Sequence, residues 1–105
     1  VFVGDGARAN ALAASAEIPP AGRLDARAFN VGTGVPTSVL DLVAALMRAA
    51  GKQCPVEHAP ARPGEQQRSF INVSKSAGVL VWTPDVSLDT GLKHTFDWFR
   101  AHAGA

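Results

Sequence analysis

The stretch SVLDLVAALMRAAG, residues 38–51, constrains this chain more than any other, because its spacing suits a helix with one buried side. Val39, Leu42, Val43, Leu46, Met47 and Ala50 recur three and four residues apart, the repeat of an α-helix rather than a strand. Ser38 and Asp41 match a capping box, in which a hydroxyl and a carboxylate satisfy the first free N–H groups of a helix. Gly51 stands where a left-handed C-terminal cap belongs, and Lys52 lies near the negative end of the helix dipole. A second helix is predicted from Ser87 to about His102, with Leu88, Leu92, Thr95, Phe96 and Phe99 on one face and Trp98 at its border. Gly91 sits inside that pattern, where a close backbone approach would explain it. These two apolar faces are expected to form one core.

Shorter elements surround them. The β-branched and aromatic VFV at 1–3 predicts a strand. Alanine-rich DGARANALAASAE predicts a helix capped by Asp5 and ended by Pro19, Pro20 and Gly22, with EIPPAGRLDA as a surface loop. Residues 28–31 predict a short buried strand that runs into a glycine turn. PVEHA and RSFINV predict two more strands, and SKSAGVLVW a short helix ending near Trp82 before Pro84. The expected architecture is therefore α+β: short strands with three or four helices in one domain, 1–105.

Composition removes several function classes. Ten Lys and Arg against nine Asp and Glu leave a net charge of +1, which is no footprint for nucleic acid. No apolar run approaches the ~20 residues that span a bilayer, so no membrane partner is expected. Cys54 is the one cysteine, so no internal disulfide exists; a reducing cytoplasmic setting is expected, with Cys54 as a small buried hydrophobe. The chain opens on VFVGDG without a methionine or a signal pattern, which reads as a fragment of a longer protein.

Chemistry-bearing patterns are few. NVGTG has a G-x-G but lacks the third glycine of a dinucleotide fingerprint, since position 37 is Thr. A turn tied by Asn30 is the expectation there. His94 and His102 lie eight residues apart on one helix, about 12 Å at ~1.5 Å per residue, too far to share a metal ion. No metal site and no catalytic residue is expected. The spacing of Trp82, Trp98, Phe96 and Phe99 predicts core rather than a stacking platform for bases.

PARPGEQQRS, residues 60–69, is different. Pro60, Pro63 and Gly64 forbid a regular helix and set a stiff loop. Arg62 offers a planar fork of donors suited to a diphosphate, and Glu65 a carboxylate able to accept from vicinal hydroxyls. A plain surface ion pair between the two is the alternative.

Four stretches in a fixed order carry a family likeness: VFVGDGARAN, FNVGTGVPTSVLDLV, RPGEQQRSFINVSKSAGVLVWTP and VSLDTGLKHTFDWFR. Together they resemble the C-terminal part of NAD-dependent epimerase/dehydratases, the extended short-chain dehydrogenase/reductase group. RPGE followed by QQRSFINVSK is most similar to the UDP-glucose 4-epimerase-like members, whereas 4,6-dehydratases more often carry R-P-G-H-D. The likeness implies a nucleotide-sugar-binding lobe whose partner is a nucleotide-diphosphate sugar. Arg62 would contact the diphosphate and Glu65 the nucleoside hydroxyls. It also implies NAD, bound mainly by an absent N-terminal Rossmann domain, and a parent that could pair as a homodimer. The family's hydride transfer at sugar C4 needs a Tyr-x-x-x-Lys pair, and this chain has no tyrosine, so alone it is expected to be inactive. A 4,6-dehydratase, or a non-catalytic small α+β ligand-binding or interaction module, are the alternatives. Two departures stand out: Gly4 and Gly6 loosen the VGDGA junction, and Val81 occupies the glycine place of L-G-W, where it must alter the turn or carry strain.

Overall fold

Four α-helices and one 3-10 turn make up the regular structure: α1 (Val3–Ser15), the turn Leu24–Arg27, α2 (Val39–Ala50), α3 (Ser74–Val79) and α4 (Leu88–His102). They are seen in a computed structural model that describes residues 1–18 and 22–104. The predicted helix stop at Pro19 and Pro20 lies outside the described residues. The chain divides into two units, Val1–Val35 with Phe70–Ser87, and Pro36–Ser69 with Leu88–Ala105.

The first unit holds the buried cluster. Ala9, Leu80 and Trp82 are its centre, with Leu12, Ala13, Ala16, Ile18, Phe29 and Val31 packed around it. Ala9, Leu12 and Ala13 of α1, with Ala16 at its C-cap, recur at helical spacing, so one apolar face of the helix packs in the cluster with the indole. Trp82 is fully buried, and its Nε1 donates to the Asp5 carbonyl at 2.9 Å, which satisfies the ring's one polar group. Asp5 is not the N-cap expected for it. The cap position is Phe2, and Asp5 lies inside the first turn.

α3 is one and a half turns long and stops at Val79, short of the expected end near Trp82. Val81 explains the stop: its φ is +53°, the one positive value on a described residue other than glycine. The chain reverses there, and the Ser76 carbonyl accepts from both Leu80 and Trp82 N–H at 3.1 Å.

The α+β expectation fails: among the described residues there is no strand. Val3 belongs to α1, and 28–31, PVEHA and RSFINV form no ladder. A strand needs a neighbour to take its N–H and C=O groups, and side chains take that part here. Asn30 Nδ2 donates to the Asn72 carbonyl at 3.2 Å, the Ser76 hydroxyl donates to the Asn30 carbonyl, and Lys75 serves the carbonyls of Asp25, Ala26 and Ala28. The described residues make an all-helical fragment joined by irregular extended segments.

In the second unit α2 packs on α4. The capping box forms in full: Asp41 N–H donates to Ser38 Oγ at 3.0 Å, and Ser38 N–H to Asp41 Oδ2 at 3.3 Å. Gly51 has φ +66°; its N–H reaches the Arg48 carbonyl and the Lys52 N–H the Met47 carbonyl, the Schellman pattern. Arg48 and Asp89 tie the pair at 2.9 Å. Each helix buries one small residue, Ala45 in α2 and Gly91 in α4, as a close helix contact requires. The expected core of these two helices is not what forms. Val39, Leu42, Leu46, Leu88 and Phe99 of the expected faces stay exposed, as does Trp98 at the border, and of the aromatic set only Trp82 reaches a core, that of the other unit.

Candidate functional site

Pro63 and Gly64 build the loop as the sequence requires. Proline pre-sets the first central position of a turn, and Gly64 follows with φ +79°, which a side chain would resist. The Glu65 N–H closes the turn on the Arg62 carbonyl at 3.3 Å. Arg62 and Glu65 thus occupy the first and fourth positions of a type II turn, where the chain ends come within about 7 Å. Both side chains are exposed. Among the described residues neither takes part in an ion pair or a side-chain hydrogen bond, so the plain Arg62–Glu65 pair does not form. The turn carries a guanidinium and a carboxylate three residues apart, both exposed.

The glycine turn at 32–34 is no phosphate cradle. Gly34 has φ +68°, and a Cβ at Gly32 would lie 3.1 Å from Ile71 Cδ1, so this glycine admits a side chain rather than an anion. Thr33 Oγ1 accepts from Val35 N–H at 3.2 Å, and the next helix begins only at Val39. Asn30 does not tie its own turn but reaches Asn72. Cys54 is exposed, not buried, in a stretch, residues 51–71, that is exposed throughout. His102 stacks on Trp98 at 4.1 Å with its Nδ1 2.7 Å from the Trp98 carbonyl. No group of three metal-ligating residues occurs among the described residues. No helix there is long and apolar enough to cross a membrane.

One polar centre escaped sequence reading. The buried Asp5 carboxylate accepts from Val86 N–H at 2.9 Å and Asp85 N–H at 3.1 Å. Arg8 lies 3.5 Å from the same carboxylate and 3.1 Å from Asp85, and donates to the Thr83 carbonyl. The Val86 hydrogen bond, more than any other contact, holds the Asp5 carboxyl below its ordinary range, against the opposing effect of burial. This centre pins the 83–86 loop to the first turn of α1. Its partners stand some eighty residues apart in the chain, and no local pattern announces them.

No protein-family model matches the chain. Curated relatives do. A UDP-glucose 4-epimerase of Mycolicibacterium smegmatis is 40% identical over 72 residues, 69% of this chain and 23% of that protein. UDP-glucose 4-epimerase 2 of Oryza sativa subsp. japonica is 31% identical over 87 residues, 83% of this chain and 21% of the relative. A bifunctional UDP-glucose 4-epimerase and UDP-xylose 4-epimerase of Arabidopsis thaliana is 29% identical over 76 residues, 72% and 22% of the two chains. The chain spans about a fifth of the length of the curated relatives it matches. The ordered motifs and the relatives agree: this chain is similar to a C-terminal stretch of the UDP-glucose 4-epimerases.

Proposed function

We propose that this chain is the part of a nucleotide-sugar epimerase that grips the nucleoside diphosphate end of its substrate. Arg62 donates to the diphosphate oxygens and Glu65 accepts from the nucleoside hydroxyls. The observation that carries this reading is the Pro63–Gly64 turn, which presents both side chains exposed and uncommitted, in a sequence similar to UDP-glucose 4-epimerases. The relatives' names favour epimerisation of a UDP-hexose at C4 over the 4,6-dehydratase alternative. The second activity in the Arabidopsis name makes a UDP-pentose a reasonable alternative sugar.

NAD does not fit the residues present. The G-x-G at 32–34 packs against Ile71 and Val73 instead of opening a helix, the G-x-G at 4–6 lies inside the first turn of α1 with its Asp5 bound to the 85–86 backbone and no third glycine at position 9, and the chain has no tyrosine to act as base. The cofactor and the C4 chemistry therefore belong to residues outside these 105, in a parent whose cytoplasmic setting is part of the same reading. What this chain supplies is remote binding energy, which fixes the sugar while another lobe acts on it.

Calorimetry tests the reading on the purified chain. UDP and UDP-glucose bind weakly, and Arg62→Ala weakens both by roughly tenfold or more, as loss of charge-assisted hydrogen bonds requires. The loss with UMP is smaller, because the diphosphate is the recognised group. Glu65→Gln weakens UDP more than its deoxyribose analogue. No turnover of UDP-glucose with NAD is expected. Equal UDP affinity for wild type and Arg62→Ala overturns the assignment, and so does turnover by the chain alone.

A further inference from the structure

Lys75 closes the QQRSFINVSK stretch, yet no ligand reading assigns its side chain a role. Its Nζ donates to three backbone carbonyls at once, Asp25 at 3.1 Å, Ala26 at 2.8 Å and Ala28 at 2.8 Å. An ammonium has three N–H groups, so all three are in use. The same nitrogen lies 4.7 Å from the centre of the Phe29 ring, within range of a cation–π attraction. Asp25 lends its carbonyl only; its carboxylate is paired with Arg23 at 3.0 Å. The attraction is thus to converging carbonyl dipoles and an aromatic face, not to a counter-charge. These groups surround one point on three carbonyl sides and one aromatic side, which is the make-up of a receptor for a small cation.

We infer that residues 25–29 form an alkylammonium receptor whose resident ligand is the Lys75 head group, so that Lys75 is the latch that orders this loop. Without a cation, three carbonyl oxygens would point their negative ends at one another, and the loop would open. The latch also stands in for the missing ladder: carbonyls that a strand would pair through backbone N–H groups are paired here through one side chain. Lys75 is solvent-exposed, so a free cation can reach the same place once the side chain is shortened. Arginine cannot replace it, because the donors of a planar guanidinium diverge while those of an ammonium spread from a single nitrogen.

Amide hydrogen exchange reads the latch, because Ala26 N–H is bonded to the Arg23 carbonyl and Ala28 N–H to the Asp25 carbonyl inside the held segment. Wild-type chain, Lys75→Ala and Lys75→Met are compared in sodium, methylammonium and tetramethylammonium chloride at equal ionic strength. Both variants lose protection at Ala26 and Ala28 by roughly tenfold or more, since three charge-assisted bonds are gone. Methylammonium restores protection in Lys75→Ala, whereas tetramethylammonium, which has no N–H, does not. Wild type responds to neither salt. Lys75→Met keeps the aliphatic stem beside Phe29, so its loss reports the head group and not the packing. Unchanged protection in Lys75→Met overturns the latch. Equal recovery in tetramethylammonium, no recovery in methylammonium, or unfolding of both variants that methylammonium does not reverse overturns the receptor.

Discussion

Replacing Val81 by glycine should make this chain more stable, although glycine usually does the opposite. Val81 has φ +53°. In that region the Cβ of an L-residue crowds the following carbonyl, at a cost of about 1–2 kcal/mol, and a β-branched side chain belongs at the upper end. Little packing offsets the strain, because Val81 is 81% exposed. Glycine removes the strain but frees the unfolded chain, which costs about 0.5–1 kcal/mol. The balance is a gain of about 1 kcal/mol. Equilibrium urea unfolding followed by the fluorescence of buried Trp82 is the assay. With a slope of about 2 kcal/mol per molar, the midpoint rises by about 0.5 M. Val79→Gly is the internal control: it makes the same chemical change two residues earlier, inside α3, where glycine costs a helix about 1 kcal/mol and the midpoint falls. A midpoint for Val81→Gly that stays level or drops alongside Val79→Gly would refute the claim that strain at this turn is stored rather than relaxed.

Gly6→Ala should stabilise by about 0.5–1 kcal/mol, since position 6 is helical and a Cβ there meets nothing within 4 Å; Gly4→Ala should gain less, its Cβ falling 3.1 Å from the Phe2 ring, and paired urea midpoints decide. Ser38→Ala removes half of a formed capping box and should cost about 1 kcal/mol, read as a lower melting temperature with less helical circular dichroism. The Asp5 carboxyl is held below its ordinary 3.8, chiefly by the Val86 N–H, so its stabilisation is present above that value and is lost as pH falls through the lower folded one. Urea midpoints between pH 7 and pH 3 should therefore fall more steeply for wild type than for Asp5→Asn, which starts lower at pH 7; parallel profiles would remove Asp5 as the anchor of the 83–86 loop.

What could be read from the sequence was what is settled within a few residues. Ser38 meets Asp41 three positions on, Gly51 closes the helix it follows, and Pro63 with Gly64 dictates a turn whatever surrounds it. Strands were misjudged for the converse reason. Residues 28–31 and RSFINV have suitable side chains, but a strand exists only if a neighbour supplies a ladder, and Asn30, Lys75 and Ser76 supply side-chain bonds instead. Cys54 was misplaced likewise, since burial depends on what covers a residue and not on the residue. The Asp5 centre joins positions some eighty residues apart, beyond any local pattern. This substitution of side chains for a ladder has a mechanical consequence. A ladder spreads the joining of two segments over many backbone bonds that no substitution except proline can remove. Here the polar joining of 25–31 to 72–76 runs through three side chains, so each is a point at which one substitution can loosen the segment, with Phe29 and Val31, packed on the Trp82 cluster, left as its apolar hold.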